Sequence, residues 1–534
     1  MIAPVIALPS WRLNLSLSAR TRLARPAAAT LVLILVAAAL RLAFAGMTGL
    51  GMDESYMVAA GREVQLSYYD HPPLSWWLCW LAAHLLPGPS TLTLRLPFIV
   101  LFGLTTWLCA RIAVLLSSPR AGFATALALN LAPLFGVTTG SWILPDGPLD
   151  AALAGFALCL LHALRLTPRD RAALRPTPRD RTAWWIGAGL CAGLAMLSKY
   201  SASLVLAGAV FGVVTQPAYR SWLRRPQPWL AACIAVAMLA PVFAWNTAHH
   251  WSSFSFQAGR AIGSHFRPAA PFIALGAQAL FVLPWIWALL LLAVLRASHR
   301  GRAHPQSWLL LCCGLPPILL FTAIGLWSAK PVLFHWAAPG YLMLFPLLGD
   351  LVAHLDRARR RLVLRGAWAS GALVVSMVAM LATQASWNWL PLGFPDPLAD
   401  AIDWTSLRAS FAADAAIAPE RPVVAAVRWH VAGKLDYALA GAATVICLGG
   451  DPREYGIVRP LSQFRGRDVI ILAPRSTLSD MRRRYGTMFA RISASPALLV
   501  THAGRPALLL TSYVGHDFRP LPDDRTAQMK GRGK

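Results

Sequence analysis

The hydrophobic residues of this 534-residue chain are gathered into long runs separated by short polar segments. A helix that crosses a bilayer needs about 20 mostly apolar residues. A run of about 13 at 74–86 is too short to span comfortably and predicts a helix at the membrane interface. Eleven other runs predict transmembrane helices, of which the fifth and sixth could be a broken pair: residues 27–48, 91–116, 121–138, 147–165, 183–198, 200–215, 229–246, 271–295, 308–326, 336–353 and 366–386.

The hydrophobic pattern changes after Trp389, where spanning runs stop and short strand-like runs alternate with helix-like stretches. Residues 422–427, 443–448 and 468–473 predict strands, and 430–439 and 478–485 predict helices. This pattern is typical of a small α/β domain. We therefore divide the chain into a cytoplasmic segment (1–26), an all-α polytopic membrane domain (27–386), an extracytoplasmic α/β domain (387–519) and a disordered tail (520–534).

Composition agrees with a membrane protein, since 57% of the residues are hydrophobic and only 13% are charged. A soluble protein is about 25% charged. The net charge of +26 would suit a nucleic-acid-binding protein, but the basic residues lie between the apolar runs. One alternating set of connecting segments holds 22 Lys and Arg and the other set holds 5. By the positive-inside rule the richer set, with the N-terminus, faces the cytoplasm, and residues 387–534 face outward.

The first apolar run has an alternative reading, because Ala43-Phe44-Ala45 resembles a signal-peptide cleavage site. The many runs that follow favour an uncleaved signal anchor.

Acidic residues are concentrated on the predicted outer face, which holds six of the ten that precede residue 387. Asp53-Glu54 follows the first span, and Asp70-His71 stands before Pro72-Pro73. The acidic pair could simply begin a helix, since Asp caps helices well and Glu suits the first turn. Asp146 could likewise belong to an ordinary turn. The functional interpretation is a carboxylate base at the membrane face, with Asp53 and Asp146 facing each other around a metal or a substrate hydroxyl.

Two further outer segments carry polar residues among apolar ones. Lys199 interrupts a long apolar stretch, where it either reaches out to water or binds an anion. Residues 245–257 contain paired His249-His250 as well as Asn246 and Gln257. Two adjacent histidines chelate a metal poorly from one helix, so a zinc site here is the weaker interpretation.

Taken in order, these strings resemble the bacterial branch of glycosyltransferase family 39, which is related to protein O-mannosyltransferases and to the aminoarabinose transferase of lipid A. The resemblance runs over residues 45–345 and weakly over the tail. It is carried by Asp53-Glu54-x-Tyr56, Tyr68-Tyr69-Asp70-His71-Pro72-Pro73-Leu74, Pro145-Asp146, Leu197-Ser198-Lys199-Tyr200 and Trp245-Asn246 with His249, Ser253-Phe254 and Gln257.

The resemblance implies the multi-spanning C-type glycosyltransferase architecture and a polyprenyl-phosphate sugar as donor. Asp53 falls on the expected catalytic acid/base and Asp70 on the acid before the proline pair. The aminoarabinose-transferring relatives have Lys where this chain has His71, which argues against that sugar. The expected site has three groups: catalytic Asp53, Glu54 and Asp146; donor-binding Asp70, His71, Lys199, Asn246, His249, Gln257, Arg260 and His335; and Asp53 with Asp146 for a possible divalent metal.

We therefore expect an inverting transfer of a sugar to an envelope glycan, lipid or protein, outside the bacterial inner membrane and without nucleic acid as a partner. No cofactor other than the possible metal is expected. A transporter or flippase of polyprenyl-linked sugars is the alternative, but it should place ionisable residues near the bilayer midplane. A structural assembly protein is a third class, which would not need Asp53, Asp146 and Lys199 together.

Overall fold

The structure, a computed structural model, describes the backbone of residues 17–86, 88–164, 178–261, 266–328, 332–390, 392–409, 411 and 421–520. The side chains of residues 17–25, 178–180, 260 and 261 are outside the description. Nearly all of the predicted tail, most of the N-terminal segment and most of the basic loop at 165–182 also lie outside it.

Helices account for most of the described chain up to residue 387. In chain order they are α1 (Leu17–Met47), α2 (Met52–Ala60), α3 (Leu74–Leu85), α4 (Thr91–Leu116), α5 (Pro119–Leu131), α6 (Asp146–Leu164), α7 (Pro178–Ser198), α8 (Ala202–Thr215), α9 (Pro226–Met238), α10 (Ala240–Ala248), α11 (Ser252–Ala261), α12 (Ala270–Val282), α13 (Pro284–Arg300), α14 (Pro305–Ala323), α15 (Ala338–Ala353) and α16 (Arg357–Trp387). A π-helix (Leu134–Thr139), a one-turn helix (Pro217–Arg220) and short 3₁₀ turns connect them.

The polytopic helical architecture is confirmed. Among the described residues, 7 helices are long and apolar enough to cross a membrane, or up to 9 if each bent pair counts as one span. The seven match predicted spans closely. The count of eleven spans is not confirmed.

Two predicted single spans need correction. The run at 271–295 bends by 107° between α12 and α13, where Leu283 has a φ of +74° and Pro284 lacks the N–H of a continuous helix. The run at 121–138 is α5 followed, after Pro133, by the π-helix. The sixth span, α8, turns by 99° into the short helix that follows it.

The C-terminal part folds into a five-stranded sheet, which confirms the predicted α/β domain. Its strands are β1 (Val423–Ala426), β2 (Thr444–Cys447), β3 (Val469–Pro474), β4 (Phe489–His502) and β5 (Arg505–Phe518), in the spatial order β2-β1-β3-β5-β4. The first three are parallel and were predicted; the last two form an antiparallel hairpin that was not. Helices α17 (Trp429–Leu439) and α18 (Leu478–Tyr485) match their predictions, and Tyr455–Val458 adds one helical turn.

Helix α17 packs closely on α2, which joins the sheet domain to the segment between α1 and α3. A Cβ on Gly433 would lie 2.6 Å from Tyr56 Cα, so only glycine allows this approach. On the same helix Lys434 Nζ donates to the Leu50 carbonyl oxygen at 2.7 Å, and Asp436 Oδ1 accepts from Arg62 Nη1 at 2.8 Å. The loop that carries Asp53 therefore lies between the helical bundle and the sheet domain.

Candidate active site

Asp53 and Glu54 open helix α2, whose first turn favours negative charge. Glu54 is buried against α4: Arg95 Nε donates to its Oε1 at 2.7 Å, and Arg95 Nη2 donates to its Oε2. The Ile143 N–H also donates to Oε1, at 3.0 Å. Burial alone would raise the pKa of Glu54, but Arg95 and these N–H groups hold it below its usual range. Glu54 thus ties α2 to α4 and to the segment before Asp146.

Asp53 has the opposite environment, because its side chain is exposed. Consecutive residues of a helix point about 100° apart, so Glu54 can face the bundle while Asp53 faces the solvent. Two charged groups lie near it. Burial raises the pKa of Asp70, and Asp53 adds to that rise. Burial lowers the pKa of Arg453, while the nearby acids, Asp70 first and Asp53 among them, raise it overall. Of the acidic pair, Asp53 is the carboxylate that an incoming hydroxyl can reach.

Asp70 is buried in the loop that leads to α3. Arg453 Nη1 donates to its Oδ2 at 3.0 Å, and Gln257 Nε2 donates to its backbone oxygen. Burial raises the pKa of Asp70 above its usual range, although Arg453 acts in the opposite direction. The structure therefore brings two predicted residues, Asp70 and Gln257, together with a cation from the sheet domain.

Arg453 and Glu454 were not predicted, although both reach this loop. The Arg453 guanidinium lies 3.6 Å above the Trp429 ring and its backbone has a φ of +48°. Glu454 accepts from the Tyr69 N–H at 2.7 Å and from Gln65 Nε2 at 2.6 Å. Burial raises the pKa of Glu454 to about 8. Their partners lie almost 400 residues away, so no local pattern links them to this loop. The Gly449-Gly450 turn before them is the signal that the sequence offers.

Lys199 stands in the break between α7 and α8 and forms a buried ion pair with the first residue of α6. Its Nζ lies 2.9 Å from each carboxylate oxygen of Asp146. Next to it, the Tyr200 hydroxyl lies 3.0 Å from Ser253 Oγ on α11. Tyr200 also interacts with the charge of Asp70, so it lies near both the Asp146–Lys199 pair and the Asp70–Arg453 pair.

The segment from α10 to α11 contacts both the loop before α3 and the break between α7 and α8. His249 stacks on Trp245 with 4.1 Å between ring centroids, and its Nδ1 donates to the Trp245 oxygen at 2.8 Å. Trp245 Nε1 in turn donates to Gln65 Oε1 at 2.7 Å. Asn246 is buried and donates to the Val242 oxygen. His249 and Asn246 therefore support the shape of this segment.

Three other donor-binding residues were predicted: His71, His335 and Arg260. His71 is half-buried just before α3. His335 belongs to the short 3₁₀ turn Phe334–Ala337 and meets Phe334 edge to face at 5.4 Å. Arg260 belongs to α11, but its side chain is outside the described part of the chain.

The possible metal site does not fit the arrangement of acids. Both oxygens of Asp146 already accept from Lys199. Across the described residues, no group of three or more His, Cys, Asp or Glu could hold a metal ion. We therefore assign no step of the chemistry to a metal.

Comparison with known proteins gives this arrangement a context. Residues 70–245 match a family model described as dolichyl-phosphate-mannose-protein mannosyltransferase. ArnT from Cupriavidus metallidurans, solved with undecaprenyl phosphate, superposes with a TM-score of 0.62 at 16% identity, covering 90% of this chain and 97% of that one. Its apo structure gives a TM-score of 0.60 with the same identity and coverage. The chain has the fold of a C-type glycosyltransferase.

This glycosyltransferase fold confirms the resemblance drawn from the motifs, and the family match begins at Asp70 itself. The archaeal oligosaccharyltransferase AglB from Archaeoglobus fulgidus is more distant, with a TM-score of 0.45 at 12% identity over 83% of this chain and 69% of that one. A search with the sequence alone found no match among proteins of curated function.

Proposed function

We propose that the protein transfers a sugar from a polyprenyl-phosphate donor to a glycan, lipid or protein acceptor on the outer face of the bacterial inner membrane. The fold supports this, because it is shared over 90% of the chain with a structure solved with undecaprenyl phosphate. The family match, to a group described by its use of dolichyl-phosphate mannose, points to the same class of donor.

The main support for the proposal is the difference in exposure between Asp53 and the other acids near it. Asp53 is exposed at the start of α2, whereas Asp70 and Asp146 are buried and ion-paired with Arg453 and Lys199. A general base must reach the proton it removes, and Asp53 meets that condition. Arg453 and Lys199 are the cations proposed to stabilise the departing phosphate, because electrostatic stabilisation of a leaving anion needs positive charge beside it.

The reaction follows from these positions. The acceptor hydroxyl attacks the anomeric carbon, and its proton passes to the Asp53 carboxylate. The bond between the anomeric carbon and the phosphate oxygen breaks, and its electron pair leaves with polyprenyl phosphate. Lys199 and Arg453 offset the charge on that phosphate. A single displacement of this kind inverts the anomeric carbon.

The positions of the buried acids favour a transferase over a transporter. Asp150 is buried in α6, where Thr139 donates to its Oδ2 at 2.8 Å. It lies four residues after Asp146, which is about 6 Å along a helix. Asp150 therefore belongs to the same end of the bundle as the other acids and not to the bilayer midplane, where a transport site is expected.

Deletion of the gene, followed by analysis of envelope glycans, lipids and proteins, tests the proposed function. We expect one envelope component to lose a sugar and the sugar-loaded polyprenyl phosphate to accumulate. Wild type and Glu63→Gln, which changes an exposed acid of the same loop, should restore the sugar, whereas Asp53→Asn should not. An unchanged envelope, or full restoration by Asp53→Asn, would contradict the proposal.

A further inference from the structure

A deep apolar groove lies at the basic end of the bundle, away from the candidate active site. It is enclosed by α1, α5, α13, α15 and α16 and has a volume of about 700 Å³. Its walls are apolar side chains such as Phe123, Leu127, Leu289 and Val363, and Gly366 opens one wall because it has no side chain. Nothing in the proposed reaction uses this groove.

The groove has the depth of one bilayer leaflet. Along α16 its lining runs from Arg360 to Ser370, which are ten residues apart and so about 15 Å apart at the rise of an α-helix. Half of the hydrocarbon core is also about 15 Å. At the deep end, Trp285 Nε1 donates to Ser370 Oγ at 2.7 Å, which satisfies the polar groups there and leaves an apolar floor.

Two arginines line the groove at its basic end. Arg120 stands in the first turn of α5, and Arg360 in the first turn of α16. Among the described residues, neither guanidinium has an acidic partner. The acids of this end are already engaged, since Asp350 pairs with Arg300 at 3.2 Å and Asp356 with Arg359 at 3.3 Å. The groove therefore joins an apolar interior to unneutralised positive charge.

We propose that this groove binds an anionic phospholipid, with the headgroup phosphate between Arg120 and Arg360 and an acyl chain along α16. Basic pockets between helices at the cytoplasmic side are typical sites for anionic headgroups. The positive-inside rule places this end of the chain in the cytoplasm, so the ligand comes from the inner leaflet. The site is independent of the proposed sugar transfer and lies at the opposite end of the bundle from Asp53.

Native mass spectrometry of the full chain in mild detergent tests this proposal. Phosphatidylglycerol and phosphatidylethanolamine with the same acyl chains are titrated as the two probes. We expect phosphatidylglycerol to bind roughly tenfold to thirtyfold more tightly. The double variant Arg120→Gln/Arg360→Gln should lose that preference, whereas the control Arg361→Gln/Arg365→Gln, which removes two exposed arginines of α16, should keep it.

A second pair of variants tests the apolar part of the groove. A Cβ on Gly366 would meet nothing within 4 Å, so Gly366→Leu should fold and fill the groove. Binding of both phospholipids should then fall at least about tenfold. Gly276→Leu is the matched control, because a Cβ there also meets nothing within 4 Å and Gly276 does not line the groove. If Gly366→Leu elutes as an aggregate, Ala29→Leu on α1 fills the facing wall instead.

Several results would overturn the proposal. These are equal binding of the two phospholipids by the wild type, a preference that survives the double Gln variant, and binding that survives both groove-filling variants. Displacement of phosphatidylglycerol by undecaprenyl phosphate at equal concentration would show that the groove belongs to the donor lipid. A dimer in place of a lipid-bound monomer would show that a second copy covers it.

Discussion

At the residue scale, the adjacent acids Asp53 and Glu54 of one helical turn have different environments. Glu54 is buried and ion-paired with Arg95, and this pair connects α2 to α4. Asp53 is exposed and near Asp70 and Arg453. In the sequence both acids are candidates, and the family resemblance already favours Asp53. The packing of α2 on the bundle then distinguishes the positioning residue from the proposed base.

Lys199 gives a prediction about the donor phosphate. Lys199→Gln should raise the KM for a polyprenyl-phosphate sugar about 10- to 100-fold, because a hydrogen bond to a charged group is lost. Lys199→Arg keeps the charge and should keep much of the activity. Steady-state kinetics with varied donor concentration measure both.

The same substitution also leaves Asp146 buried without its cation, so a second variant is needed. Asp146→Asn/Lys199→Gln removes both charges of the pair. If Lys199 binds phosphate, the double variant remains poor in donor use. Recovery of a normal donor KM in the double variant would show that Lys199 serves only to neutralise Asp146.

At the element scale, the Glu54–Arg95 pair gives a stability prediction. Arg95→Met leaves Glu54 as an uncompensated buried charge, which typically destabilises a protein by about 3–5 kcal/mol. We expect a large fall in the thermal unfolding midpoint in detergent. Glu54→Gln/Arg95→Met removes both charges and should recover part of the loss. A single variant as stable as the wild type would show that the pair is not needed to hold α2 against α4.

Glu454 gives a prediction about pH. Its pKa is raised by burial to about 8, so between about pH 4.5 and 8 the folded protein holds a proton that the unfolded chain has released. The contribution of Glu454 to stability is therefore present at low pH and lost as the pH rises through this window. The unfolding midpoint of the wild type should fall more between pH 5.5 and 8.5 than that of Glu454→Gln.

Asp451→Asn is the control for this pH prediction, since it changes a neighbouring acid that is more exposed. It should retain the pH dependence of the wild type. Identical pH profiles for the wild type and Glu454→Gln would contradict the proposed protonation of Glu454.

The elements also show what a sequence can predict. Straight spans and the buried parallel strands were predictable, because each is a local run of apolar residues of the right length. The bend at Leu283 was not, since both helices around it are apolar and Pro284 also fits the first turn of a helix. The contact of Arg453 with Asp70 was not predictable either, because no local pattern records which loop the sheet domain will cover.

At the scale of the whole molecule, the 22-to-5 distribution of basic residues predicts the orientation in the membrane. On a background without the eight native cysteines, Gln463→Cys should react with an impermeant thiol reagent in intact cells. Arg302→Cys should react only after the membrane is permeabilised. Both positions are exposed, so access depends on the side of the membrane. The reverse labelling pattern would place the candidate site in the cytoplasm.

The central claim is that the protein uses a polyprenyl-phosphate sugar with Asp53 as the base. The most direct test is transfer of radiolabelled sugar in proteoliposomes, with an envelope fraction of the gene-deleted strain as acceptor. The account predicts that label moves from the polyprenyl-phosphate sugar but not from a nucleotide sugar. It also predicts that Asp53→Asn lowers the rate by a factor of about 10² to 10⁴, with Glu63→Gln near the wild-type rate. Direct use of the nucleotide sugar, or an unchanged rate for Asp53→Asn, would contradict it.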